Sequence, residues 1–326
     1  MTWLKAIPVL LWLAAFILVG WILSQLPLAA IAQTISTLSL GQWLAWIWLN
    51  LGIIVLATQR WWVLTSMLKL PVGFSELLRI RQAGQAVSFI TPGPQFGGEP
   101  LQIFWLYKRN QLPIHKTLLA VGLDRFYELW VNFSILLLSV LLLLIFPTVA
   151  GVNWQKVSLL LALLLLMMSM LGWLLVKQPE RVLRWITRVA RHWQHHPRLQ
   201  HIKTHWQQLG RDLNWAIQKQ KSALFLAFIL SLAGWIGLIG ELWLLLSFFD
   251  LAFDFSAVLV ILVSMRLAFL LPLPGGIGTL EAALFWAFQY LNLPAEAAIG
   301  LIALMRLRDV LVLMAGLWCL RLLHFR

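Results

Sequence analysis

The groups able to do chemistry in this sequence are charged and polar side chains set inside long apolar runs. At such depth an ionised group costs about 2.5–3.5 kcal/mol on insertion scales, so each must face a partner or a wet cavity. Arg81, Gln85 and Ser88 recur at helical spacing and share one face. Glu99 opens the next apolar stretch, and Glu241 and Arg266 sit deep in later ones. Asp124, Arg125 and Glu128, then Arg306, Arg308 and Asp309, place mixed charge in two more. Two Gly-rich breaks complete the set: Thr91-Pro92-Gly93-Pro94-Gln95-Phe96-Gly97-Gly98 and Pro272-Leu273-Pro274-Gly275-Gly276-Ile277-Gly278, the second followed by Thr279. A helix starting just past either break offers free backbone N–H groups and a positive dipole end to an anion. Thr91, Gln95, Gly97, Gly98, Gly275, Gly276, Gly278 and Thr279 are therefore candidate substrate contacts, with Glu99 and Glu281 at the helix starts. A plainer reading stays open, in which the glycines turn a hairpin tip, Glu99 and Glu281 cap helices, and Arg125 and Arg306 pair with nearby acids. In the functional reading the arginines host a phosphate or other anionic headgroup, while the acids position them or carry a coupling proton. No catalytic residue is expected, because the sequence has no His-Glu-x-x-His, Gly-x-Ser-x-Gly, P-loop or Asp-x-Asp.

The elements that must position these groups are membrane helices. Of 326 residues, 61% are hydrophobic and 11% charged, with mean hydropathy +0.84, which excludes a water-soluble domain. Twenty Trp suit the headgroup level. The formal charge of +13 lies beside apolar runs, so anionic lipid headgroups are the expected partner and nucleic acid is not. Cys319 is the one cysteine, which rules out an intrachain disulfide and a Cys-based metal site; no metal and no cofactor are expected. Apolar spans long enough to cross a bilayer run over 7–26, 41–64, 117–146, 157–176, 222–249 and 295–320. Residues 7–26 read as a retained first span rather than a signal peptide, since no small-x-small cleavage site follows. The interrupted segments 74–107 and 255–291 have arms too short to cross comfortably and read as re-entrant helical hairpins.

Between Lys177 and Lys221 there are ten Lys or Arg against Glu180 and Asp212, so this connector is expected in the cytoplasm. Its Val182, Trp185, Ile186, Val189 and Trp193 at helical spacing suit a helix lying on headgroups. His192, His195, His196, His201 and His205 read as a solvated polar face. Loops carrying Arg60, Lys69 and Arg79, then Lys108, Arg109 and Lys116, and the tail with Arg321 and Arg326, fall on the same side. The connections 27–40, 147–155 and 250–254 hold no Lys or Arg and fall on the other. Both termini are then cytoplasmic, in a bacterial-type inner membrane.

An internal repeat organises the spans. Pro92-Gly93 and Glu99 match Pro274-Gly275 and Glu281 at an offset of 182, while Leu112-Pro113 and Arg125-x-x-Glu128 match Leu293-Pro294 and Arg306-x-x-Asp309 at 181. Because the span ending near Arg60 and its partner 222–249 run in opposite senses, the repeat is inverted, an architecture used by secondary transporters. The expected fold is an all-α polytopic membrane protein of about six full transmembrane helices and two re-entrant hairpins. It is one membrane domain over 1–326: a first helix and outer loop in 1–40, repeat one in 41–146, a helix and basic connector in 147–221, and repeat two in 222–326.

The run from Thr91 to Pro100, the run from Pro274 to Glu281, and Arg306 resemble the lysylphosphatidylglycerol synthase transmembrane region family, also called the flippase-like domain family. The resemblance covers about residues 41–320. It implies a membrane domain that flips a lipid; larger members add an aminoacyl transferase, which is not expected here because the chain ends at Arg326 after the last span. The leading expectation is a translocase for a phospholipid or other anionic lipid-linked substrate, with Arg125 and Arg306 as electrostatic hosts. Membrane lipids and a second copy of the chain are the partners considered. The alternatives are a membrane-bound glycosyl or acyl transferase on a lipid carrier and a non-transporting membrane partner.

Overall fold

The computed structural model describes residues 36, 38–91, 97–146, 152–177, 198–249, 254–271 and 273–324. All regular structure among them is helical. In chain order the helices are α1 (Leu40–Met67), α2 (Phe74–Ile90), α3 (Glu99–Phe104, continued by a π-helical turn over Trp105–Arg109), α4 (Ile114–Ile145), α5 (Trp154–Lys177) and α6 (Arg198–Lys219). They are followed by α7 (Lys221–Ser247), α8 (Phe255–Ala268), a 3-10 turn (Pro274–Gly276), α9 (Thr279–Tyr290) and α10 (Ala295–His324).

By length and composition, α1, α4, α7 and the Trp154–Leu174 part of α5 are apolar enough to cross a membrane. Helix α10 has 30 residues, but carries Arg306, Arg308 and Asp309 at mid-length. The expected spans 41–64, 117–146, 157–176, 222–249 and 295–320 are thus helices, whereas 7–26 lies outside the described residues, as does the connector from 178 to 197. Leu159, Leu163, Leu166 and Met170 of α5, with Ile236 and Trp243 of α7, leave apolar surface uncovered in the way a lipid environment permits. Helix α6 is amphipathic and packs on α4, α5 and α7, with His115 on α4 reaching Asp212 at 3.4 Å.

Both interrupted segments are helix pairs. Helix α2 has 17 residues, α8 has 14 and α9 has 12, or about 25, 21 and 18 Å at 1.5 Å per residue, short of a hydrocarbon core of about 30 Å. The first break, at 92–96, lies outside the described residues. The second is visible: Gly275 adopts φ +58°, and a β-carbon there would sit 2.7 Å from the Phe89 ring, so the second break and the end of α2 touch. At the first, Gly98 lies against the Gly84 carbonyl so closely that no side chain fits.

Helix pairings exchange between two sets of four, α1–α4 and α7–α10. Helix α1 packs along α7, α2 along α10, and α8 along α4; within each set α3 lies on α4 and α9 on α10. Gln111 (φ 51°) and Asn292 (φ 52°), 181 positions apart, take the same left-handed turn before Leu-Pro and the helix that follows. Two apolar cores flank a polar layer. On α4, Leu119–Val121 belongs to one core and Val131–Leu143 to the other, with Asp124, Arg125 and Glu128 between them. On α10, Ala297–Met305 and Leu313–Leu323 divide in the same way around Arg306, Arg308 and Asp309.

Candidate functional site

A cavity of about 320 Å³ opens in that polar layer, between the two helix sets. Helix α2 contributes Arg81, Gln85 and Ser88, which point from one face as the spacing predicts. Glu99 of α3, Arg125 and Glu128 of α4, Arg266 of α8, Gly275 and Gly276 of the 3-10 turn, and Arg308 and Asp309 of α10 complete the expected residues on its wall.

The arginines of the first set form one network with the acids of α4. Arg60 Nε lies 2.7 Å from Asp124 Oδ1 and Arg81 Nη1 2.8 Å from Asp124 Oδ2, so a single buried carboxylate is held by two guanidinium groups from different helices. Glu128 takes Arg125 at 2.9 Å and, more loosely, Arg60 at 3.4 Å and Arg81 at 3.7 Å. Arg125 Nε also lies 3.1 Å from Glu99, whose other oxygen accepts the Gly97 N–H at 2.9 Å. Ser88 Oγ accepts the neighbouring Gly98 N–H at 2.8 Å.

The second network closes on Arg306, which is fully buried and off the cavity wall. Its guanidinium grips Glu281 with two bonds of 2.7 and 2.9 Å and reaches Asp309 at 3.0 Å. It also donates to the Gly275 and Gly276 carbonyls at 2.9 and 3.0 Å, pinning the turn to α10. Glu281 accepts the Gly278 N–H at 2.8 Å, and Thr279 Oγ1 donates to the Gly276 carbonyl at 3.1 Å. Arg308 bonds Glu241 at 2.7 Å; Trp46 Nε1 holds the other Glu241 oxygen at 3.2 Å. Glu241 thus stands just behind the wall, as do Thr91, Gly97, Gly98, Gly278, Thr279 and Glu281 at the two breaks; Gln95 lies outside the described residues.

Arg266 differs from all of these. Among the described residues no carboxylate lies within salt-bridge distance of it, and its buried Nε has no hydrogen-bond partner. Its guanidinium lies over the Trp235 ring, 4.6 Å from the centroid.

Arg60 corrects an expectation: it is not in a cytoplasmic loop but inside α1, 5% exposed, because Trp61, Val63 and Leu64 continue the apolar helix past it. Arg79 likewise belongs to α2 rather than a loop. The wall also holds polar groups that the expected set omits: Asp124, Asn50, Gln102 and Ser231. Arg60 has a signal after all. Glu241 lies 181 positions later on the equivalent helix, and each pairs with the fourth helix of its own set, with the signs exchanged.

An all-helical, multi-pass bundle with a charged mid-layer is a polytopic membrane protein. Residues 6–316 match the family described as Lysylphosphatidylglycerol synthase TM region, and the chain belongs to that family. It is also similar to a UPF0104 membrane protein of Methanothermobacter thermautotrophicus, at 21% identity over 246 residues, covering 73% of this chain and 72% of that protein. No solved structure matches the chain.

Proposed function

We propose that this chain is a translocase without catalytic chemistry of its own, moving a phospholipid or other lipid-linked substrate with an anionic headgroup across a bacterial-type cytoplasmic membrane. The observation that carries the reading is the charged cavity between two apolar cores, walled by both helix sets and by a helix break. A headgroup in that cavity exchanges water for fixed charges, while its tails stay in the bilayer. The family match supports a lipid substrate. The exchanged pairings α2–α10 and α8–α4 support an inverted repeat, in which rocking one set against the other opens the cavity to either face in turn. Both termini are on the cytoplasmic side.

Reconstitution tests it. Proteoliposomes with a tail-labelled fluorescent phospholipid should lose more label to a membrane-impermeant reductant than protein-free vesicles do, and equal loss overturns the reading. The inverted arrangement has its own check in a background with Cys319 replaced. Thr91→Cys and Thr279→Cys should react with impermeant maleimide from opposite faces, and labelling of both from one face rejects it.

A further inference from the structure

The substrate class follows from which charges in the cavity are already used, given that the cavity is the headgroup site just proposed. Among the described residues every carboxylate on the wall has an arginine partner: Asp124 has Arg60 and Arg81, Glu128 and Glu99 have Arg125, and Asp309 has Arg306. The two carboxylates behind the wall, Glu241 and Glu281, are held by Arg308 and Arg306. An ammonium group entering the cavity would therefore meet only carboxylates already neutralised by an arginine about 2.7–3.1 Å away, and gains less from sharing one than it would from a free carboxylate.

The cations are not all used. Arg266, on the cavity wall, has the face of its guanidinium on Trp235, which fixes the plane; its Nε is buried without a partner, and among the described residues no carboxylate holds its Nη groups. Cation–π stacking of this kind leaves the in-plane donors free, and two parallel in-plane donors are what a phosphate oxygen pair accepts. Unpartnered, such a group is costly at membrane depth; an anion bonded to it removes the cost. The rest of the wall offers Asn50, Gln85, Gln102 and Ser231, neutral groups that suit hydroxyls rather than charge.

We propose that Arg266, stacked on Trp235, is the phosphate site of this cavity, and that its substrate is a lipid whose headgroup is a phosphodiester with an uncharged, hydroxylated remainder, of the phosphoglycerol type. Ammonium-bearing headgroups, aminoacylated phosphatidylglycerol included, are disfavoured by the same wall.

Short-chain lipids added to the purified full chain in detergent give the test, with binding read from the thermal shift. Phosphatidylglycerol should stabilise the protein, while phosphatidylethanolamine and lysylated phosphatidylglycerol do so about tenfold less strongly or worse, the scale of one lost bond to a charged group. Arg266→Gln should abolish the preference, and Arg266→Lys, which keeps charge without the fork, should retain part of it. Because Arg266 holds no carboxylate, its loss orphans none, and the unliganded melting temperature should stay near that of the wild type. Equal stabilisation by the three lipids, or phosphatidylglycerol binding by Arg266→Gln as tight as wild type, overturns the proposal. The two readings fail separately. Binding of phosphatidylglycerol through Arg266 without translocation in vesicles removes the transport function and keeps the site; equal translocation of all three lipids does the reverse.

Discussion

Arg125 and Arg306 begin the same Arg-x-x-acid motif, and each bonds both the acid one turn on and the glutamate that caps its own broken helix. Their surroundings differ. Arg306 is sealed, with a side chain 0% exposed and its donors taken by two carboxylates and two carbonyls, whereas the Arg125 side chain is 18% exposed and stands on the cavity wall. One copy of the motif is a dry latch and the other a wet surface, so sequence-equivalent residues have unequal energies. Water and a mobile ligand reach the guanidinium that stands on the cavity wall but not the sealed one, although its partners Glu281 and Asp309 keep side-chain exposures of 24% and 10%.

The sharpest way to break that distinction is Arg306→Gln. It leaves Glu281 and Asp309 without their principal cation and the turn carbonyls without two donors, and should cost about 3–5 kcal/mol, the range for breaking a buried pair. Thermal unfolding in detergent reads the loss. A variant as stable as the wild type would show that the latch holds nothing, and would return Arg306 to the list of headgroup hosts.

The next largest effect is expected at the turn that Arg306 pins. Gly275→Ala puts a side chain at φ +58° and drives its β-carbon into Phe89, and should cost about 2–3 kcal/mol. Adding Phe89→Ala should recover the steric part and leave the backbone part, so the double variant should be more stable than the sum of the single changes implies. Strict additivity would mean that Phe89 does not hold the turn.

Much of this arrangement is legible in the chain before any folding is considered. Glycine and proline inside an apolar run announce a broken helix, and charges in the same run stand out because they are costly there. Matching landmarks 181 and 182 positions apart then tie the breaks to Arg125 and Arg306. Three features are not legible, for separate reasons. Arg60 follows Thr58 and Gln59 and passes for a loop residue until α1 is seen to continue to Met67. Its counterpart Glu241 has the opposite sign, so a comparison by identity passes over it. The Arg266–Trp235 stack joins residues from two helices with no fixed spacing, and whether an arginine lacks a partner depends on where every acid ends up.

The smallest effect is the one that sharpens the comparison, because it removes the same atom group from the wet copy. In Arg125→Gln, Glu128 keeps Arg60 at 3.4 Å and Arg81 at 3.7 Å, and Glu99 keeps the Gly97 N–H at 2.9 Å. Both carboxylates also retain access to the cavity, since Glu128 is 34% and Glu99 23% exposed at the side chain. A pair so placed behaves more like a surface pair than a buried one, and its loss should cost about 1 kcal/mol. Measured beside Arg306→Gln in one detergent, the stability loss should be several times smaller. If the proposed translocase function holds, lipid movement in vesicles should nevertheless fall, because the residue shapes the cavity wall. Equal destabilisation by the two substitutions would mean that both copies are latches, and would leave Arg266, among the described residues, as the arginine of the wall that no carboxylate holds.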